Sequence, residues 1–299
     1  MKKISLIILV LVLVMTGCNA NQTYEKMVLN IGLMPAVDTA PIFLAKDSGY
    51  FEENNLDVNI EIYTNAQDRQ SALQANAIDG AMTDILAVAT NVNGGFDLKA
   101  TMLTDGMFVL VSNEGAIDKT DISVGMMEVS VSNFLVDQWL GETHSIEKVY
   151  VNAIPSRLEA TVSGQLDMAL LPEPIATVAE LKGLEKLIFE PVDGFSPDVM
   201  AFTQTAIDNK SDALEAFVKA YNKAVLDIQK DESLARETIV KNVPNVSPEL
   251  KDLMDLPQYH EARLPSEEYI QRVIDWTNTI LPEPLNVEPK DLIDTNFVD

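Results

Sequence analysis

The chain has 299 residues, 47% of them hydrophobic, with 46 Asp and Glu against 21 Lys and Arg and a formal net charge of −25. That length and apolar content can build two lobes of ordinary size and exclude extensive disorder. So acidic a surface repels nucleic acid and anionic headgroups, which excludes nucleic-acid binding, and a single cysteine excludes an internal disulfide.

Met1-Lys2-Lys3 precedes an unbroken apolar run from Ile4 to Met15. This is the pattern of a secretory signal peptide, and the run falls short of the roughly 20 residues that span a bilayer. Thr16-Gly17-Cys18 follows and resembles a bacterial lipobox, although Met15 stands where leucine is usual. The resemblance implies that Cys18 carries lipid, palmitate included, and becomes the mature N-terminus. Asn19 to Lys26 reads as a polar tether.

Strands are predicted at Val28–Met34, Leu56–Tyr63, Gly80–Met82, Leu98–Leu103, Met107–Ser112, Ile122–Met126, Lys148–Val151, Met168–Leu171 and Asp198–Thr203. A helix is predicted over Ala40 to Glu53. A long amphipathic helix follows Ser211, with Leu214, Phe217, Val218, Tyr221, Val225 and Ile228 on one stripe, and another follows Ser266. Such alternation predicts an α/β architecture with largely parallel sheets.

A faint duplication runs through this pattern. Ile31-Gly32-Leu33-Met34-Pro35 is echoed by Val124-Gly125-Met126-Met127-Glu128. Asn65-Ala66 with Arg69 is echoed by Asn152-Ala153 with Arg157, and Asp79-Gly80-Ala81-Met82 by Asp167-Met168-Ala169-Leu170. Three echoes in one order predict two similar lobes. The expected division is a signal peptide over 1–17, a lipidated tether over 18–27, a first lobe from 28–111 plus 197–299, and a second from 112–196. The hinge crossings are accordingly expected near Ser112 and Phe195.

Gly49-Tyr50-Phe51-Glu52 with Leu56-Asp57-Val58, then Ile78-Asp79-Gly80-Ala81 with Thr83-Asp84, then Leu166-Asp167 with Leu171-Pro172-Glu173-Pro174, resemble the recurring segments of one family. It is that of the nitrate/sulfonate/taurine-type and thiamine-pyrimidine-type solute-binding proteins. The resemblance implies a two-lobed, hinged type II periplasmic binding protein, each lobe a mixed, mostly parallel sheet flanked by helices. It implies a monomer held outside the cell membrane by its lipid, handing a small solute to an ABC permease and, through it, an ATPase. A ligand-sensing lipoprotein of the same fold is the alternative role.

Ligands of open α/β sheets bind beyond the carboxyl ends of strands. That rule nominates Pro35, Asp38 and Thr39, then Thr83 and Asp84, in the first lobe, and Glu128, Ser130, Ser132 and Glu173 in the second. Asp38, Asp84 and the serines read equally well as helix caps. Asp79 and Asp167 read as structural, and Arg69 and Arg157 as surface or inter-helix partners. Phe108, Phe134 and Phe195 read as core or as stacking platforms. Carboxylates without Lys or Arg in the nominated loops favour a nitrogen-rich solute, aminopyrimidine-like or another amine, over an alkanesulfonate, taurine or nitrate. No enzyme signature is present: His144 and His260 lie in unlike contexts away from any nucleophile motif, no P-loop occurs, and no metal-ligand spacing or cofactor motif appears.

Overall fold

The computed structural model describes residues 25–298; the predicted signal peptide and Cys18 lie outside the described residues. One sheet contains β1 (Met27–Leu33), β2 (Leu56–Ile62), β3 (Gly80–Asp84), β4 (Leu98–Leu103) and β10 (Asp198–Thr203). The other contains β5 (Phe108–Ser112), β6 (Asp121–Met126), β7 (Ser145–Tyr150), β8 (Met168–Pro172) and β9 (Glu185–Leu187). Their orders, β2-β1-β3-β10-β4 and β7-β6-β8-β5-β9, are copies of each other. In each, the first three strands run parallel and the fourth is antiparallel to its neighbours. The duplication read from the sequence is therefore a duplication of topology.

Helices α1 (Ala40–Asp47), α2 (Tyr50–Glu53), α3 (Ala66–Gln74) and α4 (Ile85–Asn93) serve the first lobe. Helices α5 (Val131–Leu140), α6 (Ile154–Val162) and α7 (Ile175–Leu181) serve the second. After β10 the chain adds α8 (Gln204–Asn209), α9 (Ser211–Lys230), α10 (Ser233–Asn242) and α11 (Glu267–Ile280). The predicted helix over Ala40 to Glu53 is split, because Gly49 adopts φ +74°, a left-handed conformation that interrupts a right-handed helix. The apolar stripe of α9 is wholly buried, and its Phe217 stacks on Phe51 of α2 at 5.4 Å between ring centroids.

The first crossing needs correction. The strand beginning at Phe108 pairs with β8, Phe108 facing Pro172 and Ser112 facing Met168, so it belongs to the second lobe. The chain thus crosses at residues 104–107, ahead of Ser112. Alternating apolar residues identify a strand but not the sheet it joins. The second crossing spans residues 188–197, after the short β9, which the sequence reading did not find.

The lobes are packed on each other. Phe134 of α5 lies edge-on to Tyr269 and Trp276 of α11, with centroids 6.5 and 5.4 Å away. Trp276 donates its indole N–H to Asp137 at 2.9 Å. Trp139 stacks on Phe189 of the second crossing at 4.8 Å.

Candidate functional site

The parallel strands of the first sheet end at the second lobe, and β10 starts there. Three carboxylates meet along that edge. Asp38 lies in the single turn Val37–Thr39 after β1, 3% exposed, and accepts a hydrogen bond from Thr104 Oγ1 at 2.9 Å. Asp84 closes β3 and caps α4 by accepting from the Ala87 N–H at 2.8 Å. Asp198 opens β10 directly opposite Asp84 and accepts from Ser196 Oγ at 3.2 Å.

One cation feels the charge of all three, although none forms an ion pair with it among the described residues. Arg69, in the first turns of α3, is 6% exposed, donates through Nη2 to Thr83 Oγ1 at 3.0 Å, and leaves its Nε without a partner. Burial lowers its pKa, and the fields of Asp84, Asp198 and Asp38 oppose that. Burial pushes Asp38 up to about 6, partly offset by the Thr104 bond. Burial also raises Asp84 against the pull of its cap and Arg69. Asp198 stands well above the usual carboxylate range through burial and repulsion from Asp38 and Asp84. Three carboxyls within the field of one guanidinium are short of positive charge, and an amine or other cation entering here would restore the balance.

Not every nominated residue joins this cluster. Pro35 lies half-buried between β1 and the Asp38 turn, and the hydroxyl of the fully buried Thr39 donates to the Ala36 carbonyl at 2.7 Å. Glu128 is exposed. Ser130 caps α5 by accepting from the Ser132 N–H at 3.2 Å, and Ser132 Oγ accepts from the Met127 N–H at 2.9 Å. Both hydroxyls are thus committed to their own loop.

Glu173 is fully buried and its carboxylate is engaged within the chain. It accepts from the Thr177 N–H at 3.1 Å and pairs with Lys186 at 2.6 Å. Lys186 also reaches Asp255, which belongs to the first lobe. Arg69 and Arg157, expected at the surface or between helices, are buried at the strand ends instead. Asp198, Thr104 and Ser196 were not nominated. Asp198 carries the one usable signal, a carboxylate opening the apolar run Val199–Phe202.

A cavity of about 580 Å³ lies along both crossings, lined among others by Phe108, Trp139, Phe189, Phe195, His260 and Arg263. Gly106 and Ser196 line it too, and both touch Asp198. A Cβ at Gly106 would come within 1.8 Å of Asp198 Oδ2. Asp198 thus lies directly behind the cavity wall formed by Gly106 and Ser196. Asp105 on its wall binds His260 Nδ1 at 3.1 Å and Arg263 at 3.0 Å. No metal-holding group of three or more His, Cys, Asp or Glu occurs among the described residues.

The family profile described as NMT1/THI5 like matches residues 36–233. The chain belongs to the NMT1/THI5-like family. The matched span includes Asp38, Arg69, Asp84 and Asp198. No curated protein in the comparison matches this NMT1/THI5-like chain.

Among solved structures it is similar to the zinc-bound ligand-binding component of an ABC-type import system from Staphylococcus aureus. The TM-score is 0.75 at 16% identity, over 91% of this chain and 98% of that one. It is also similar to the aliphatic sulphonate binding protein SsuA from Escherichia coli (0.66, 14%, over 87% and 95%). The nitrate-binding protein NrtA from Synechocystis is a third (0.62, 12%, over 92% and 77%). At such identities the likeness establishes the fold, that of the periplasmic binding proteins.

Proposed function

We propose that the chain is the extracytoplasmic solute-binding component of an ABC importer, anchored by lipid on Cys18, and that it captures a small amine-bearing, nitrogen-rich solute between its lobes. The role rests on the family, on the import and binding functions named for the structural neighbours, and on the leader-like start ahead of Thr16-Gly17-Cys18. The permease, with its ATPase, is the partner that this role requires. No catalytic step is part of it.

The choice of solute rests on one observation: the buried Asp38 and Asp198 and the half-buried Asp84 all act on a single buried arginine, Arg69. An inorganic anion placed there would meet net negative charge at low dielectric, whereas an ammonium or protonated aminopyrimidine would neutralise it. A thermal-shift and calorimetric panel tests this, setting aminopyrimidines and alkylamines against alkanesulfonates and nitrate. A ligand at 100 times its dissociation constant should stabilise the fold by about 2.7 kcal/mol. Stabilisation by sulfonates or nitrate, with none from amines, would overturn the assignment. For the anchor, labelling with radioactive palmitate in cells should be lost in Cys18→Ala while the protein itself is still made.

A further inference from the structure

The two crossings are built differently. The first, residues 104–107, is short and pinned from several sides. Thr104 donates its N–H to the Asp198 carbonyl at 3.0 Å and its hydroxyl to Asp38, and the Glu173 N–H donates to the Met107 carbonyl at 3.1 Å. Asp105 accepts from the His260 N–H at 2.8 Å and from Arg263 Nη2 at 3.0 Å. The second crossing, residues 188–197, is longer, and Glu190, Pro191, Asp193 and Gly194 in its middle are exposed. Among the described residues one main-chain bond closes that stretch, from the Gly194 N–H to the Pro191 carbonyl at 3.1 Å.

The turn so closed has a costly backbone. Asp193 has φ +58° and Gly194 has φ +73°, so two successive residues are left-handed. Glycine adopts that conformation freely, aspartate only at a cost. Two arginines of the first lobe hold the turn from outside. Arg272 of α11 pairs with Asp193 at 2.8 Å. Arg263 Nη2 donates to the Gly194 carbonyl at 3.2 Å, and the second hydrogen on that nitrogen serves Asp105. One guanidinium nitrogen thus fastens the two crossings to each other, with its side chain lying over the Phe195 ring at 5.3 Å. The side chains of Arg272 and Asp193 are 33% and 49% exposed. A pair so open to water changes an equilibrium by about fivefold at most, too little to matter for folding. The same factor is decisive where two arrangements of the lobes lie close in free energy.

We infer that the second crossing is the moving half of the hinge and that Arg272 and Arg263 clasp it shut. With the clasp made, Asp193 stays in its left-handed turn and the crossings lie side by side. When the clasp parts, Asp193 relaxes to an extended backbone, the turn lengthens, and the lobes separate about the pinned first crossing. A hinge is a few loop residues that absorb a large change in φ and ψ. Asp193 is the one non-glycine residue of either crossing already held at positive φ. Opening of this kind belongs to the free protein, whatever solute it takes.

Hydrogen–deuterium exchange and small-angle scattering on the solute-free protein test the clasp. Arg272→Met and Asp193→Asn should each speed exchange at residues 193–195 by about 2–5-fold, leave residues 104–107 unchanged and enlarge the radius of gyration. Asparagine also tolerates the left-handed conformation, so its effect isolates the charge. The double variant should go no further than either single one, because both remove the same pair. Arg263→Met should loosen residues 104–107 as well, since it grips both crossings. Unchanged exchange at 193–195 in both single variants overturns the inference, and so does a rise spread evenly over both sheets, which reports lost stability instead. Effects that add in the double variant show the two residues acting apart and overturn the clasp. Faster exchange with an unchanged radius makes the turn a local one and overturns its part in the hinge.

Discussion

Asp84 has two roles that one substitution can separate. Its carboxylate caps α4 through the Ala87 N–H and also stands in the acid cluster. Asparagine caps as well as aspartate does, so Asp84→Asn should keep the unfolding free energy within about 0.5 kcal/mol of the parent. It should nonetheless weaken an amine solute by about 10-fold or more, as loss of a charged partner does; calorimetry decides. Asp38 brings a pH dependence. Its folded-state pKa of about 6 exceeds the 3.8 of the free side chain, so the folded protein holds this proton more tightly than the unfolded chain. The stabilisation is complete below pH 3.8 and is lost as pH rises through about 6. The displacement corresponds to roughly 3 kcal/mol, largest in the absence of solute. Denaturant titrations from pH 4 to 7 should show this decline and Asp38→Asn should flatten it. Amine binding runs the other way, weakening as pH falls through about 6, because the carboxyls must ionise to receive it. Calorimetry in buffers of different ionisation enthalpy should detect the released protons.

At the level of elements, the strands were legible because their apolar runs are unambiguous: every predicted strand exists, with ends shifted by a few residues. What could not be read was membership. Nothing in Phe108–Ser112 tells which sheet will hydrogen-bond it, so the first crossing was placed too late. The candidate cluster was half legible for a related reason. Asp38 and Asp84 follow strands and were nominated, but Asp198 precedes one, and a rule built on carboxyl ends passes over an antiparallel strand that starts at the same edge. Arg69 and Arg157 resemble ordinary solvated arginines of a helix's first turns, and only the tertiary fold buries them. Glu173 is a different case, nominated from its place between two prolines and found with partners inside the chain. Its partners are Thr177 and Lys186, so Glu173→Gln should leave solute affinity intact while destabilising the second lobe by about 3–5 kcal/mol, the usual result of breaking a buried ion pair. Chemical denaturation together with binding on the same variant separates the two. Gly106→Ala should be harmful to binding, since its methyl would occupy the place of the Asp198 carboxylate.

For the molecule as a whole, the lobes are held together by contacts that take no part in the cluster. Lys186 of β9 reaches Asp255 of the first lobe, and Arg272 of α11 pairs with Asp193 of the second crossing at 2.8 Å. Such links set how far the closed arrangement is favoured before any solute arrives. Asp255→Ala should therefore enlarge the radius of gyration of the unliganded protein in small-angle scattering. Saturating solute should restore the compact value at some cost in apparent affinity. An unchanged radius would place the balance elsewhere, in the apolar contact of α5 with α11.

That same contact makes the protein its own optical gauge. The chain has two tryptophans, and both lie on the seam: Trp276 donates across it to Asp137, and Trp139 stacks on a crossing residue. Separation of the lobes would hand the Trp276 indole from a carboxylate to water and unstack Trp139, shifting emission to the red with no dye attached. Since no third tryptophan dilutes the signal, Trp276→Phe and Trp139→Phe would each leave a single reporter, one for the seam and one for the hinge. Stopped-flow traces of the two could then show whether the crossing bends before the lobes meet or as they do.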